Sequence, residues 1–222
     1  MKALYLSIFV LLAAVSATAQ IRPVESLPIA VNYSKTIHLI FPSAVKYSQA
    51  VTDFVAVDNP ENVPHILRIK ANSKSFSKQT TVSVATEGGF FYSFNVSYAD
   101  SLEQTNYFLP DMRSIAPDTV FINEVSQTHL IAPEKVIYID YGDTCINVSK
   151  AENTENIIRM IARSGRVQQF PKQTNVSFAT ESGRFFTFNV DYREKPEAFV
   201  YEVGEKKPEK KANVILTDNI IP

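Results

Sequence analysis

Residues 78–98 read KQTTVSVATEGGFFYSFNVSY, and residues 172–192 read KQTNVSFATESGRFFTFNVDY. Aligned at an offset of 94, 14 of the 21 positions are identical. Within each copy the apolar residues alternate. Tyr92, Phe94, Val96 and Tyr98 share one parity, and Phe186, Phe188, Val190 and Tyr192 repeat it. Period two is the mark of a strand buried on one face. The other parity, Phe91, Ser93, Asn95, Ser97 and its counterpart Phe185, Thr187, Asn189, Asp191, is expected to be largely solvated. Between this strand and the one before it lies Glu87-Gly88-Gly89, matched by Glu181-Ser182-Gly183. A three-residue hairpin loop commonly ends on a left-handed residue. Only Gly89 and Gly183 are shared, so positive φ is assigned to those two.

Upstream the repeat continues at an offset of 91. His38-Leu39-Ile40 falls on His129-Leu130-Ile131, Pro42, Val45 and Tyr47 fall on Pro133, Val136 and Tyr138, and Arg68 falls on Arg159. The three extra residues belong between Ala162 and Phe170, in a loop containing Ser164-Gly165, where insertions are tolerated. Further strands are expected over residues 36–41, 53–57, 65–70 and 81–86 and their partners. No helical periodicity runs for a useful length. Short strands separated by turns predict an all-β protein: two tandem small β-sandwich or barrel domains related by an internal repeat. The first domain is set at 20–98, a linker at 99–117 and the second domain at 118–203. Tyr107-Phe108-Leu109 and Phe199-Val200-Tyr201 are candidates for one extra strand after each unit.

The ends read differently. Met1-Lys2, an apolar stretch from Ala3 to Val15, and Ala17-Thr18-Ala19 form a signal-peptide pattern over 1–19, with the mature chain starting at Gln20. The apolar run is shorter than the ~20 residues needed to span a bilayer, so no transmembrane span is expected after cleavage. Residues 204–222 open with a charged linker and end in an apolar tail containing Val214, Ile215, Leu216, Ile220 and Ile221. That tail is expected to dock on an edge strand, of its own chain or of a partner.

The chemistry of catalysis is sparse. The formal net charge of −1 gives no broad attraction to nucleic acid. Cys145, the single cysteine, aligns with Phe54 and is expected to be a buried, inert thiol; an internal disulfide is impossible. His38 and His129 are read as structural. Arg68 and Arg159 are expected to cover a sheet edge or to bridge to a carboxylate, and Asp140-Tyr141-Gly142-Asp143 to be a solvated turn. Sequons at Asn32, Asn95, Asn147 and Asn175 are read as incidental. No catalytic, cofactor-binding or metal-binding residue is assigned, and no enzymatic activity is expected. The residues singled out for partner contact are Phe91, Phe185, Val214, Ile215 and Leu216.

Residues 36–47 (TIHLIFPSAVKY), 67–71 (LRIKA) and 81–99 (TVSVATEGGFFYSFNVSYA) together resemble the N-terminal domain of the conjugative-transposon TraN family. That family is similar to VirB/TrbG-type outer-membrane-complex subunits of type IV secretion systems. The resemblance covers about 31–99, and 127–192 through the repeat. TraN-like proteins carry a different C-terminal β-domain, where this chain has a second copy of the first. The resemblance implies a non-enzymatic envelope assembly subunit of a conjugative or secretion-like apparatus, in the periplasm or at the outer membrane of a Gram-negative bacterium. Its implied partners are other envelope or secretion-apparatus proteins, or copies of itself. The alternative is a periplasmic or surface β-sandwich module that binds polysaccharide or protein.

Overall fold

A computed structural model describes residues 24–204. The expected signal peptide, and the tail with Val214, Ile215 and Leu216, lie outside the described residues. The first unit contains β1 (Ser26–Val31), β2 (Ile37–Ile40), β3 (Val45–Ala50), β4 (Val55–Asp58), β5 (Ile66–Ala71), β6 (Thr80–Thr86), β7 (Phe91–Tyr98) and β8 (Asn106–Phe108). The second contains β9 (Asp118–Ile122), β10 (Thr128–Ile131), β11 (Val136–Tyr141), β12 (Ile146–Lys150), β13 (Ile157–Ala162), β14 (Thr174–Thr180), β15 (Phe185–Tyr192) and β16 (Val200–Glu202). Among the described residues the only helical segment is one 3-10 turn at Val167–Gln169, inside the loop that carries the three-residue insertion.

Each unit is a two-sheet sandwich, and the protein is all-β. In unit one the sheets run β1-β7-β6-β3 and β4-β5-β2-β8; in unit two, β9-β15-β14-β11 and β12-β13-β10-β16. Strands two, four and five in one sheet, and three, six and seven in the other, are the immunoglobulin constant-type arrangement. Here β1 pairs parallel with β7 instead of joining β2, and β8 takes the edge beside β2. The second unit repeats both features with β9 and β16. Residues 106–108, placed in the linker from sequence, thus complete a sheet of the first sandwich.

Alternation puts Ile37, Leu39, Leu67, Ile69, Val82, Val84, Phe94 and Val96 into the first core. Their counterparts Leu130, Ile158, Met160, Val176, Phe178 and Val190 fill the second. Each such side chain fully buried contributes about 1.5–3 kcal/mol, which is how sandwiches without a disulfide hold together. Cys145 is free and buried, as the alignment with Phe54 suggested.

The two hairpin loops match their sequence reading. Gly89 has φ 80° and Gly183 has φ 83°, and the Gly89 and Gly183 amides donate to the carbonyls of Thr86 and Thr180. A Cβ at Gly183 would meet nothing within 4 Å, so the penalty there is conformational. Gly183→Val is expected to cost about 1–2 kcal/mol, and Ser182→Gly much less. Equal melting temperatures for the two variants would reject the turn assignment.

Both units also bulge at one place. The β3/β6 register shifts between Val45 and Tyr47, and the β11/β14 register between Val136 and Tyr138. Residues two apart ordinarily share a face. The bulge instead sends Val136 into the core and turns Tyr138 outward.

Candidate functional site

The units meet face to face along a seam, so the molecule is a stack of four sheets. The outer face of β4-β5-β2-β8 lies on the outer face of β9-β15-β14-β11. A third apolar cluster fills the centre: Ile40, Val63 and Ile66 from unit one with Tyr138 and Ala179 from unit two, flanked by Phe108, Ile137 and Phe185. The repeat provides an internal control. β6 alternates buried and half-buried residues along its whole length, whereas every residue of its sister β14 is buried. β2 is buried throughout, whereas its sister β10 alternates. One face of β14 and of β2 is therefore covered by the other unit.

This corrects the expectation that the second parity of β15 is solvated. It holds for β7, where Phe91 is 50% exposed. In β15, Asn189 is buried, Thr187 Oγ1 lies 3.3 Å from Thr105 Oγ1, and Phe185 packs on the His38 ring at 5.0 Å between centroids. Of the two aromatics singled out for partner contact, Phe185 contacts its own chain's first unit and Phe91 faces outward. The structure does not bring them together.

A polar cluster adjoins the apolar centre. His38 Nε2 is 3.1 Å from Tyr138 Oη and 3.5 Å from Asp140 Oδ2. Arg68 Nη1 donates to Asp140 Oδ1 at 2.6 Å, and the same guanidinium bonds Asp58 on the neighbouring strand. Asp140 is thus a buried strand residue in ion-pair contact with the other unit, and not part of a solvated turn. Burial drives the His38 pKa down to about 4, with Asp140 opposing and Arg68 reinforcing the shift. Burial and the Asp140 charge both raise the Tyr138 pKa. His38 is a neutral hydrogen-bonding group here, and Tyr138 keeps its proton. Burial, then Asp143, pushes the Cys145 thiol up to about 12, so little thiolate forms.

At one end of the seam Lys35 is buried, and its ammonium donates to Leu102 O (2.8 Å), Gln173 Oε1 (2.6 Å) and Asn189 Oδ1 (2.9 Å). All three of its donors are engaged. Burial lowers its pKa, with Asp191 partly compensating. Asn175 acts as a backbone substitute: its Oδ1 accepts from Thr36 N and its Nδ2 donates to Thr36 O, each at 3.0 Å. The Lys70 ammonium donates to Gly142 O. Beside Lys35 opens a cleft of about 980 Å³ between the units, lined among others by Tyr33, Tyr98, Lys74, Asp100, Arg166 and Lys172.

Sequence reading missed these seam residues, although a signal was present. Lys35, Lys70, Asp140, Gly142 and Asn175 stand where the other unit has Ser126, Ile161, Gln49, Val51 and Thr81. Divergence on an outward parity, between copies otherwise alike, marks where only one copy is docked. Among the described residues no group of three or more His, Cys, Asp or Glu side chains could hold a metal ion.

The Arg68–Asp140 pair spans the seam with side chains 32% and 10% exposed. Arg68→Ala leaves Asp140 without its guanidinium. Removing one partner of a fully buried pair costs 3–5 kcal/mol; discounted for partial exposure, about 2 kcal/mol is expected. Arg159→Ala, at the sister position, should stay within about 0.5 kcal/mol. Chemical denaturation of both variants compares them directly, and similar losses would contradict the structural asymmetry.

A family model described as Domain of unknown function (DUF8473) matches the chain twice, over residues 29–102 and 120–196. No curated protein matches the sequence. Among solved structures, titin Ig tandem domains A164-A165 are similar at 10% identity, with 81% of this chain and 95% of that one covered and a TM-score of 0.23. Protocadherin Gamma C5 EC1-3 is similar at 11% identity over 80% of this chain and 66% of its own, with a TM-score of 0.24. The Bacteroides ovatus mixed-linkage glucan utilization protein SGBP-B, solved with a mixed-linkage heptasaccharide, is similar at 10% identity. It is covered over 46% of its length by 79% of this chain, with a TM-score of 0.21.

Proposed function

We propose that this chain, which belongs to the DUF8473 family through both of its repeats, is a non-enzymatic, exported assembly subunit of a bacterial cell envelope. One observation carries the reading. The sheet face that unit two uses to dock on unit one has a sister on unit one that is open among the described residues, with Tyr47 46% and Phe91 50% exposed. The perturbed titratable groups His38, Tyr138 and Lys35 hydrogen-bond across the seam and so are engaged in holding the units together. Docking through sheet faces, with the seam setting the spacing of the units, is the mechanism.

A narrower form of this proposal follows the resemblance to TraN-type subunits: a place in a conjugative or type IV secretion-like apparatus of a Gram-negative envelope. The test is a pull-down of tagged protein from envelope fractions, with Phe91→Asp alongside. Outer-membrane-complex proteins retained by the wild type and lost from the variant support the proposal. Retention of none, together with a gene neighbourhood lacking mating-pore genes, removes the narrower form.

The cleft beside Lys35 favours a second reading, a binding module for polysaccharide or protein. Tyr33 and Tyr98 line it with aromatic rings, and Lys74, Asp100, Arg166 and Lys172 line it with hydrogen-bonding groups. Retardation in gels containing polysaccharide, abolished by Tyr33→Ala, would support it. Unaltered migration across a panel of neutral and charged glycans would exclude the glycan form.

A further inference from the structure

We propose that a second copy of this chain docks on the open face of unit one, presenting the outer sheet of its own unit two, so that the seam is repeated between molecules. The proposal rests on the assembly reading above and names the partner of that face. In the seam, β4-β5-β2-β8 covers β9-β15-β14-β11. By the repeat, β12-β13-β10-β16 is sister to the first of these sheets and β1-β7-β6-β3 is sister to the second. The stack therefore ends in the same two kinds of face that it joins at its middle. Such an interface is heterologous, and copies joined through it form an open, polar row.

The side chains at the ends keep part of the centre of the seam and alter the rest: Ile131, Ile157, Tyr47, Ala85 and Phe91 stand for Ile40, Ile66, Tyr138, Ala179 and Phe185, while Val63, Ile137 and Phe108 are replaced by Thr154, Lys46 and Glu202. His38 lies on Phe185 and Tyr138; the ends supply His129 on one face, and exposed Phe91 and Tyr47 on the other. Ile40 and Ile66 have their equivalents in Ile131 and Ile157, both half-buried. At the rim, the Lys70–Gly142 contact is replaced on the two faces together, by Ile161 and Val51. Ser34 is replaced by Val125, and Val51 and Val125 are 70% and 81% exposed. A polar corner has become an apolar one on both faces.

Val51 also sets a difference from the seam. A Cβ at Gly142 would fall on the Ser34 carbonyl and within 2.8 Å of Lys35 Cα. Two copies must therefore stand further apart at that corner, with Val51, Val125 and Ile161 filling the space. The Arg68–Asp140 ion pair has no counterpart, because Arg159 would face Gln49. The contact between molecules is accordingly weaker than the seam and depends on concentration.

Sedimentation velocity on the full mature chain tests this. The wild type is expected to sediment faster as its concentration rises, and Phe91→Asp and Ile161→Asp are each expected to stay monomeric. Because each of these variants spoils a different end, their mixture should form one-to-one dimers and nothing larger. Gln49→Asp rebuilds a carboxylate opposite Arg159 and should tighten association about tenfold, a gain that Arg159→Ala removes. A wild type and a Gln49→Asp variant that both remain monomeric up to the solubility limit would overturn the proposal. So would association that ignores Phe91→Asp and Gln49→Asp. Envelope proteins retained in the pull-down by a chain that is always monomeric would sink self-docking and leave the assembly reading standing.

Discussion

Gly142→Val is expected to destabilise the protein by about 3 kcal/mol, the upper part of the usual range for overpacking a close contact, and to loosen one unit from the other. The cause is distance. A side chain at 142 would run into Asn175 Oδ1, the Ser34 carbonyl and the Lys35 Cα, and two of these are backbone. The glycine is thus required by the approach of unit one, not by its own dihedral angles. Unit one has no such neighbour at the sister position and places Val51 there, 70% exposed. The opposite exchange, Val51→Gly, should cost no more than about 0.5–1 kcal/mol. Denaturant unfolding measures both, and small-angle scattering reports whether the units part. A Gly142→Val protein as stable and as compact as the wild type would show that the seam is not closely packed in solution.

A second large effect concerns pH. His38 has its pKa lowered from 6.5 to about 4 by burial, against the attraction of Asp140 and with the repulsion of Arg68. The unfolded chain therefore takes up a proton near pH 6.5 that the folded chain refuses until about pH 4. Stability is fully present above pH 6.5 and declines as the pH falls toward 4. The loss amounts to about 3 kcal/mol at the acid end. His38 belongs to the seam, with Tyr138 and Asp140 of unit two facing it and Arg68 beside it on β5. His38→Gln should remove this component, so the difference between wild type and variant should change with pH between 7 and 5. That interval lies above most carboxylate titrations. A constant difference across it would mean that His38 is charged in the folded protein or reached by solvent.

Local pattern and tertiary docking contributed separately to what could be read in advance. The repeat was visible as identity, and alternation within it assigned a core face to the closing strands: Phe94 and Val96 in one unit, Val190 in the other. The turn glycines were legible because a left-handed residue after a three-residue loop is a local demand, and Ser182 against Gly88 showed which glycine mattered. The additional edge strands β8 and β16 fall where Tyr107-Phe108 and Val200-Tyr201 suggested them.

What alternation could not show is which outward faces are covered. Ser83 and Ser177 are the same residue on sister strands, one half-buried and the other wholly buried. His38 and His129 differ in the same way. A polar residue satisfied by water and one satisfied by a neighbouring sheet have identical sequence patterns, because period two reports only the contrast between the two faces of one strand. The sequence by itself therefore determined two tandem small β-domains, the core-facing parity of their closing strands and their hairpin turns, since each follows from interactions within a strand or between adjacent ones. Only the tertiary structure decided that unit two turns its polar face onto unit one. That choice depends on Lys35, Asn175, Asp140 and Gly142 meeting Asn189, Thr36, Arg68 and Lys70 from the other side, contacts between residues that no local periodicity connects.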